Sequence, residues 1–269
     1  MFGEVKIAPS ILSADFMNFE RDIHMLEDAQ ADFIHVDVMD GHFVPNLTIG
    51  VPFVAQLRAI TDMPLDVHLM ISNPLEQLTW YLEAGADYVS AHIEAFNTAD
   101  EVEQFIDTVR SYGKHPALTL KPDKEIESLY PYLDKVDMVL VMSVFPGFSG
   151  QSYIEGSEDR VGAIAKRAAR VNPDLLIEVD GGISAGRTAG LVCAQGADVL
   201  VAGSGVFASD NPASAVSEIR AAGEAAQPEN IAQSEGFAQS ENAAQSESAV
   251  QHESTAQSEC AAQSNGKGC

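Results

Sequence analysis

The chain has 269 residues, 46% of them hydrophobic, 20% charged and 7% aromatic, which excludes a collagen, a transmembrane bundle and wholesale disorder. Forty acidic against 15 basic residues give a net charge of −25, a field that repels nucleic acid and anionic membrane surfaces, so neither is an expected partner. No 18 apolar residues run together, the first ten residues lack a basic segment leading into an apolar one, and Cys193, Cys260 and Cys269 are too scattered for a disulfide framework; a soluble cytoplasmic protein is expected.

Eight short apolar runs punctuate the chain, at 6–12, 33–39, 65–71, 88–93, 116–120, 138–144, 175–179 and 199–202. Their Val, Ile and Leu content without strict polar alternation is that of strands buried on both faces. Segments of helical period lie between them, among others at 15–28, 73–84, 99–111, 157–171 and 185–194. Many open on Asp, Ser, Asn or Pro, and Gly85, Gly113 and Gly196 stand where helices close. Near-equal strand–helix units with no long insert predict an α/β domain, a (β/α)8 TIM barrel over residues 1–222, rather than a doubly wound sheet. From Ala221 onward Ala, Gln, Ser, Glu and Asn dominate, with a six-residue spacing at Ala232, Ala238, Ala244, Val250, Ala256 and Ala262. Alanine is too small to fill a hexapeptide β-helix, and a period of six keeps no constant helical face, so 223–269 is expected to be a disordered repeat tail.

In such a barrel chemistry gathers at the carboxyl ends of the strands. His35 and Asp37 are two residues apart, so they share one side of their strand roughly 7 Å apart along it, and Met39 continues that side. Asp66, His68 and Met70 repeat the pattern on the next strand, and Asp180 ends the seventh. Inward-facing charges cost several kcal/mol each unless paired or metal-bound. Two imidazoles and two carboxylates converging there form a candidate divalent-metal site. His24, His42, His92, His115 and His252 lack such support. Met39, Met70 and Met142 read either as core filler or as an apolar floor that keeps water from a charged intermediate. Glycine-rich turns follow three successive late strands: Pro146-Gly147-Phe148-Ser149-Gly150-Gln151, Gly181-Gly182-Ile183-Ser184 and Gly203-Ser204-Gly205. Their backbone N–H groups suit a phosphorylated substrate, and the absence of a Walker-type run argues against a nucleotide.

The segments Ala8-Pro9-Ser10-Ile11-Leu12-Ser13-Ala14-Asp15, His35-Val36-Asp37-Val38-Met39-Asp40-Gly41-His42-Phe43-Val44-Pro45-Asn46, Asp66-Val67-His68-Leu69-Met70, Met142-Ser143-Val144-Phe145-Pro146-Gly147-Phe148 and Val179-Asp180-Gly181-Gly182-Ile183 closely resemble the ribulose-phosphate 3-epimerase family, over about residues 3–220. The resemblance implies one divalent ion (Zn, Mn, Fe or Co, identity open) on His35, Asp37, His68 and Asp180, with Asp37 and Asp180 as acid and base. It implies a sugar-phosphate site that includes Ser10, Met39, His68, Met70, Met142, Asp180 and Gly181, with the phosphate on Gly147, Phe148, Ser149, Gly150, Gly182, Ile183, Gly203 and Ser204. A homo-oligomer is also expected. The family commonly has Gly where Ser149 stands, and a Cβ there is expected to crowd the loop. The chemistry implied is epimerisation at carbon 3 of ribulose 5-phosphate through a cis-enediolate. An allulose 6-phosphate 3-epimerase and a non-catalytic sugar-phosphate sensor are the alternatives, whereas a decarboxylase of this fold would need a Lys where Asp37-Val38-Met39 has Met.

Overall fold

The structure is a computed structural model that describes residues 4–227. Eight strands, β1 (Lys6–Pro9), β2 (Ile34–Met39), β3 (Leu65–Met70), β4 (Tyr88–His92), β5 (His115–Leu120), β6 (Met138–Met142), β7 (Leu176–Asp180) and β8 (Val199–Ala202), form one all-parallel sheet in the order β1-β8-β7-β6-β5-β4-β3-β2. The ring closes between β1 and β2, where the Ile7 carbonyl accepts from the amides of Asp32 (2.9 Å) and Phe33 (3.3 Å) and Ser10 bridges to His35. All eight apolar runs are therefore strands of a (β/α)8 barrel. Every residue of β2 and of β3 is buried, as continuous apolar runs in a covered parallel sheet require.

Helices α1 (Phe19–Asp28), α2 (Val51–Ile60), α3 (Pro74–Ala84), α4 (Ala99–Ser111), α5 (Ser157–Val171) and α6 (Thr188–Ala194) cross between strands, and α7 (Ser204–Phe207) and α8 (Pro212–Ala226) follow β8. The β5–β6 connection departs from the pattern: it carries a 3-10 stretch, Ile126–Tyr132, in which Pro131 cannot donate to a regular helical ladder. Alternation along each strand divides the core in two. Ile34, Val36 and Val38 pack outward under the helices, while Phe33, His35 and Asp37 point into the barrel. Ala8, Phe33, Ala117, Met138, Val199 and Val201 fill the inside below the polar layer. No helix among the described residues is long and apolar enough to cross a membrane.

The expected boundary at 222 falls inside α8, which runs on to Ala226. The Ala- and Gly-rich composition that marks the start of the tail is here a close helix contact. A Cβ on Gly223 would come within 2.8 Å of Cys193 Sγ and 3.1 Å of Val5, and one on Gly190 of α6 would meet Ala226 at 3.3 Å. The remainder of the repeat tail, 228–269, lies outside the described residues. Gly223→Leu should therefore overpack this contact and lower unfolding stability by about 1–3 kcal/mol, read from the urea midpoint.

Candidate active site

The first half of the site is built by register. β2 and β3 pair so that His35 lies opposite Asp66 and Asp37 opposite His68. His35 Nδ1 contacts Asp66 Oδ2 at 2.5 Å, which turns His35 Nε2 towards Asp37 Oδ1 at 3.6 Å. His68 Nδ1 faces the same Asp37 oxygen, also at 3.6 Å, and Ser10 Oγ donates to Asp37 Oδ2 at 2.6 Å. The end of β2 is held in turn by Thr48, whose hydroxyl donates to the Asp37 carbonyl (2.6 Å) and accepts from the Met39 amide (3.0 Å). On the opposite wall, Ser143 Oγ donates to the carbonyls of Asp180 (2.9 Å) and Gly181 (2.7 Å), tying the end of β7 to β6.

Ligand atoms of His35, Asp37, His68 and Asp180 all lie within 4.8 Å of one another. His35 Nε2 and His68 Nδ1 are fully buried and find no hydrogen-bond partner among the described residues. Buried ring nitrogens aimed at a shared carboxylate oxygen, with a second carboxylate alongside, suit a divalent cation bound by nitrogen and oxygen. The two carboxylates occupy unequal surroundings. Burial acts to raise Asp37, but the charges of His35 and then His68 outweigh it and hold the carboxyl well below the usual range. Burial, reinforced by the charge of Asp37, pushes Asp180 up to about 7. Burial also opposes charge on His35, yet Asp66 and Asp37 together raise it well above an ordinary histidine.

Around this cluster a pocket opens at the carboxyl ends of the strands, lined by Ser10, Asp37 and Asp180 and by the three methionines Met39, Met70 and Met142, all buried. The glycine turns form its other side, with Gly147, Phe148, Ser149 and Gly150 after β6, Gly181, Gly182 and Ile183 after β7, and Gly203 and Ser204 after β8. Gly182 has φ +64°, and a Cβ there would lie 2.6 Å from the Tyr153 amide nitrogen, so glycine alone lets these backbones meet. Asn46 Nδ2 donates to the Gly147 carbonyl at 2.7 Å and braces the β6 loop. Ser149 does not crowd that loop: its side chain crosses to Ser13, the two hydroxyls 2.5 Å apart.

Two residues of the site escape the sequence reading. His92, set aside for want of support, is fully buried, stacks on His68 with ring centroids 5.1 Å apart, and places Nε2 2.9 Å from His68 Nε2. Burial pushes its imidazole down to about 4. Glu178 lies beneath the cluster, 3.8 Å from His35 Nδ1, with burial and the nearby Asp66 raising its carboxyl well above the usual range. The period-two rule that selects His35 and Asp37 also selects Glu178 from Asp180, and His92 repeats the pattern on β4.

Fold and site together define a (β/α)8-barrel protein with a candidate metal centre beside a pocket edged by three glycine-rich turns. The sequence model described as the Ribulose-phosphate 3 epimerase family matches residues 6–207. The Bacillus subtilis ribulose-phosphate 3-epimerase is 43% identical over 217 residues, 80% of this chain and 98% of that protein. The Rhodobacter capsulatus protein of the same name is 43% identical over 229 residues, covering 82% and 97%. The chloroplastic ribulose-5-phosphate-3-epimerase of Arabidopsis thaliana is 42% identical over 219 residues, covering 81% and 77%. This chain belongs to the ribulose-phosphate 3-epimerase family. Among solved structures, 3-hexulose-6-phosphate synthase from Salmonella typhimurium matches with a TM-score of 0.58 at 18% identity, covering 83% of this chain and all of that one, a likeness of fold alone.

Because Ser143 holds the backbone under Asp180, Ser143→Ala should cost about 1–2 kcal/mol by leaving a buried carbonyl short of a donor. Urea unfolding of the variant checks this.

Proposed function

We propose that this chain interconverts D-ribulose 5-phosphate and D-xylulose 5-phosphate by taking and returning the proton on carbon 3, in keeping with the relatives of that name. The observation that carries the reading is the meeting of His35, Asp37, His68 and Asp180 at the strand ends beside three glycine turns. Removing a proton next to a ketone leaves a planar enediolate, and inversion needs a proton-exchanging group on each face. Asp37 on β2 and Asp180 on β7 fill those two roles from facing walls of the pocket. Ser10 orients Asp37 through its 2.6 Å hydrogen bond. Met39, Met70 and Met142 form the apolar floor that keeps water from the intermediate.

His35, Asp37, His68 and Asp180 would hold one divalent cation, of which Zn, Mn, Fe and Co all suit this donor set. When bound, it supplies Lewis-acid stabilisation of the charge developing on the substrate oxygens. The glycine turns bind the phosphate through backbone N–H groups and so fix carbon 3 between the carboxylates.

Asp37→Asn and Asp180→Asn should each lower turnover of ribulose 5-phosphate by at least ~10², the loss expected for a general acid or base. A variant keeping more than about a tenth of the turnover at full metal content would remove that residue from the reaction. Unphosphorylated ribulose should lose kcat and not affinity alone, since binding energy at the phosphate positions the reacting carbon. A faster reaction with allulose 6-phosphate than with ribulose 5-phosphate would move the assignment to the hexose phosphate.

Removal of the cation by a chelator should abolish activity while the far-UV circular dichroism stays unchanged, because the barrel has its own apolar core. Loss of the helical signal would make the cation a structural one.

A further inference from the structure

The mechanism uses His35 and His68 and leaves His92 idle, although it is a fully buried imidazole on the neighbouring strand β4. We propose that His92 is a positioning residue for the metal centre: it sets the tautomer of His68 so that His68 presents its Nδ1 lone pair to the cation, and Glu94 sets His92 in turn. This inference rests on reading His35, Asp37, His68 and Asp180 as a metal site.

The two ring nitrogens of His68 have different neighbours. Nδ1 faces Asp37 Oδ1 at 3.6 Å and has no hydrogen-bond partner, so it is the nitrogen turned to the cluster. A nitrogen that ligates a cation carries no proton, and in a neutral imidazole the proton then sits on the other nitrogen. For His68 that is Nε2, whose partner is His92 Nε2 at 2.9 Å. Two nitrogens at this distance share one proton. If His68 donates, His92 accepts at Nε2 and carries its own proton on Nδ1. That Nδ1 faces Glu94 Oε2 at 3.7 Å, and both atoms are buried without a hydrogen-bond partner. Glu94 is fixed for this role by the Lys121 amide, which donates to Oε1 at 2.8 Å.

The opposite assignment fails chemically. Were His92 to donate from Nε2, His68 would accept there and carry its proton on Nδ1, pointing it into the cation position. Only one of the two patterns ligates, and the Glu94 carboxylate beside His92 Nδ1 selects it. Phe43 packs on the His92 ring at 4.8 Å between centroids, with the Lys121 ammonium 4.0 Å from the Phe43 centroid, which steadies the ring in its plane.

The test measures Zn²⁺ affinity of the full chain by competition with a chromophoric chelator. Zinc that remains on a His35→Ala/His68→Ala protein as tightly as on wild type lies elsewhere, and overturns the metal-site reading together with this proposal before any His92 variant is made. Given zinc at the site, His92→Phe keeps an aromatic ring but offers no acceptor, and should bind zinc about 10- to 100-fold more weakly. His92→Gln can accept the His68 proton through Oε1 and should recover most of that loss. Wild-type affinity in His92→Phe, or equal losses in Phe and Gln variants, overturns the proposal, the second result meaning that packing alone is at stake. Nitrogen-15 NMR of the zinc-loaded wild type decides independently of whether the variants fold. A protonated Nε2 on His68 with a protonated Nδ1 on His92 supports the assignment, and a protonated His92 Nε2 overturns it.

Discussion

The register of β2 against β3 is the constraint from which the rest of the site follows. One pairing sets His35 opposite Asp66 and Asp37 opposite His68, so both acid–base couples form between neighbouring strands. A slip of β2 by one residue would turn His35 and Asp37 outward, into the apolar layer under the helices, and bring Val36 into the barrel in their place. The groups so gathered lie almost wholly out of water: His35, Asp66, His68 and Glu178 are at 0% exposure and Asp37 at 4%. Charges in such a place persist only by answering one another. Asp37 does so with two imidazoles and the Ser10 hydroxyl, Asp66 with His35 Nδ1. The fold tolerates this layer because the apolar floor beneath it and the aliphatic shell around it supply the stability that the polar layer consumes.

The phosphate side is built on the opposite principle. Among the described residues no Lys or Arg lines the pocket, although the ligand proposed for it is a dianion and the chain itself is strongly acidic. On the proposed reading the attraction comes from oriented backbone N–H groups at short range, a role that suits three neighbouring glycine-rich turns and the close approach of Gly182 to Tyr153. Such a cup of neutral donors would recognise the shape of a phosphate without placing a fixed positive charge next to the carboxylates, where it would depress the basicity of the groups proposed to accept a proton.

Much of this was legible in the sequence because the barrel writes its two layers in a period of two. All eight strands coincide with apolar runs to within a few residues at their ends, and the candidate ligand set reads off β2, β3 and the last residue of β7. What escaped did so for identifiable reasons. His92 draws its support from His68, 24 positions earlier on the neighbouring strand, a contact that the alternation along its own strand does not reveal. Glu178 was overshadowed by Asp180, although the same alternation exposes it. The end of α8 was masked by composition, since the Ala and Glu that mark the tail from residue 221 also suit a helix, one that Gly223 and Gly190 let pack closely on α6. Ser149 looked like an obstruction because only the folded chain brings Ser13 across to meet it.

The two halves of the site also differ in how they are held. The groups proposed to exchange protons and to ligate stand on strands: β7 is paired with β6 and β8, and β2 with β3, its other side joined to β1 by the Ile7 carbonyl and the Ser10–His35 bridge. The β6 loop is joined to its surroundings by single bridges, Asn46 to the Gly147 carbonyl and Ser13 to Ser149, and it exposes Phe148 at 55%. Carbon 3 must be placed to a fraction of an ångström between two carboxylates, yet the sugar has to enter and leave through the same mouth. The hydrogen bonds that hold the rim, Asn46 to the Gly147 carbonyl and Ser13 to Ser149, involve none of the strand residues proposed to handle the proton, so the two demands fall on separate sets of contacts.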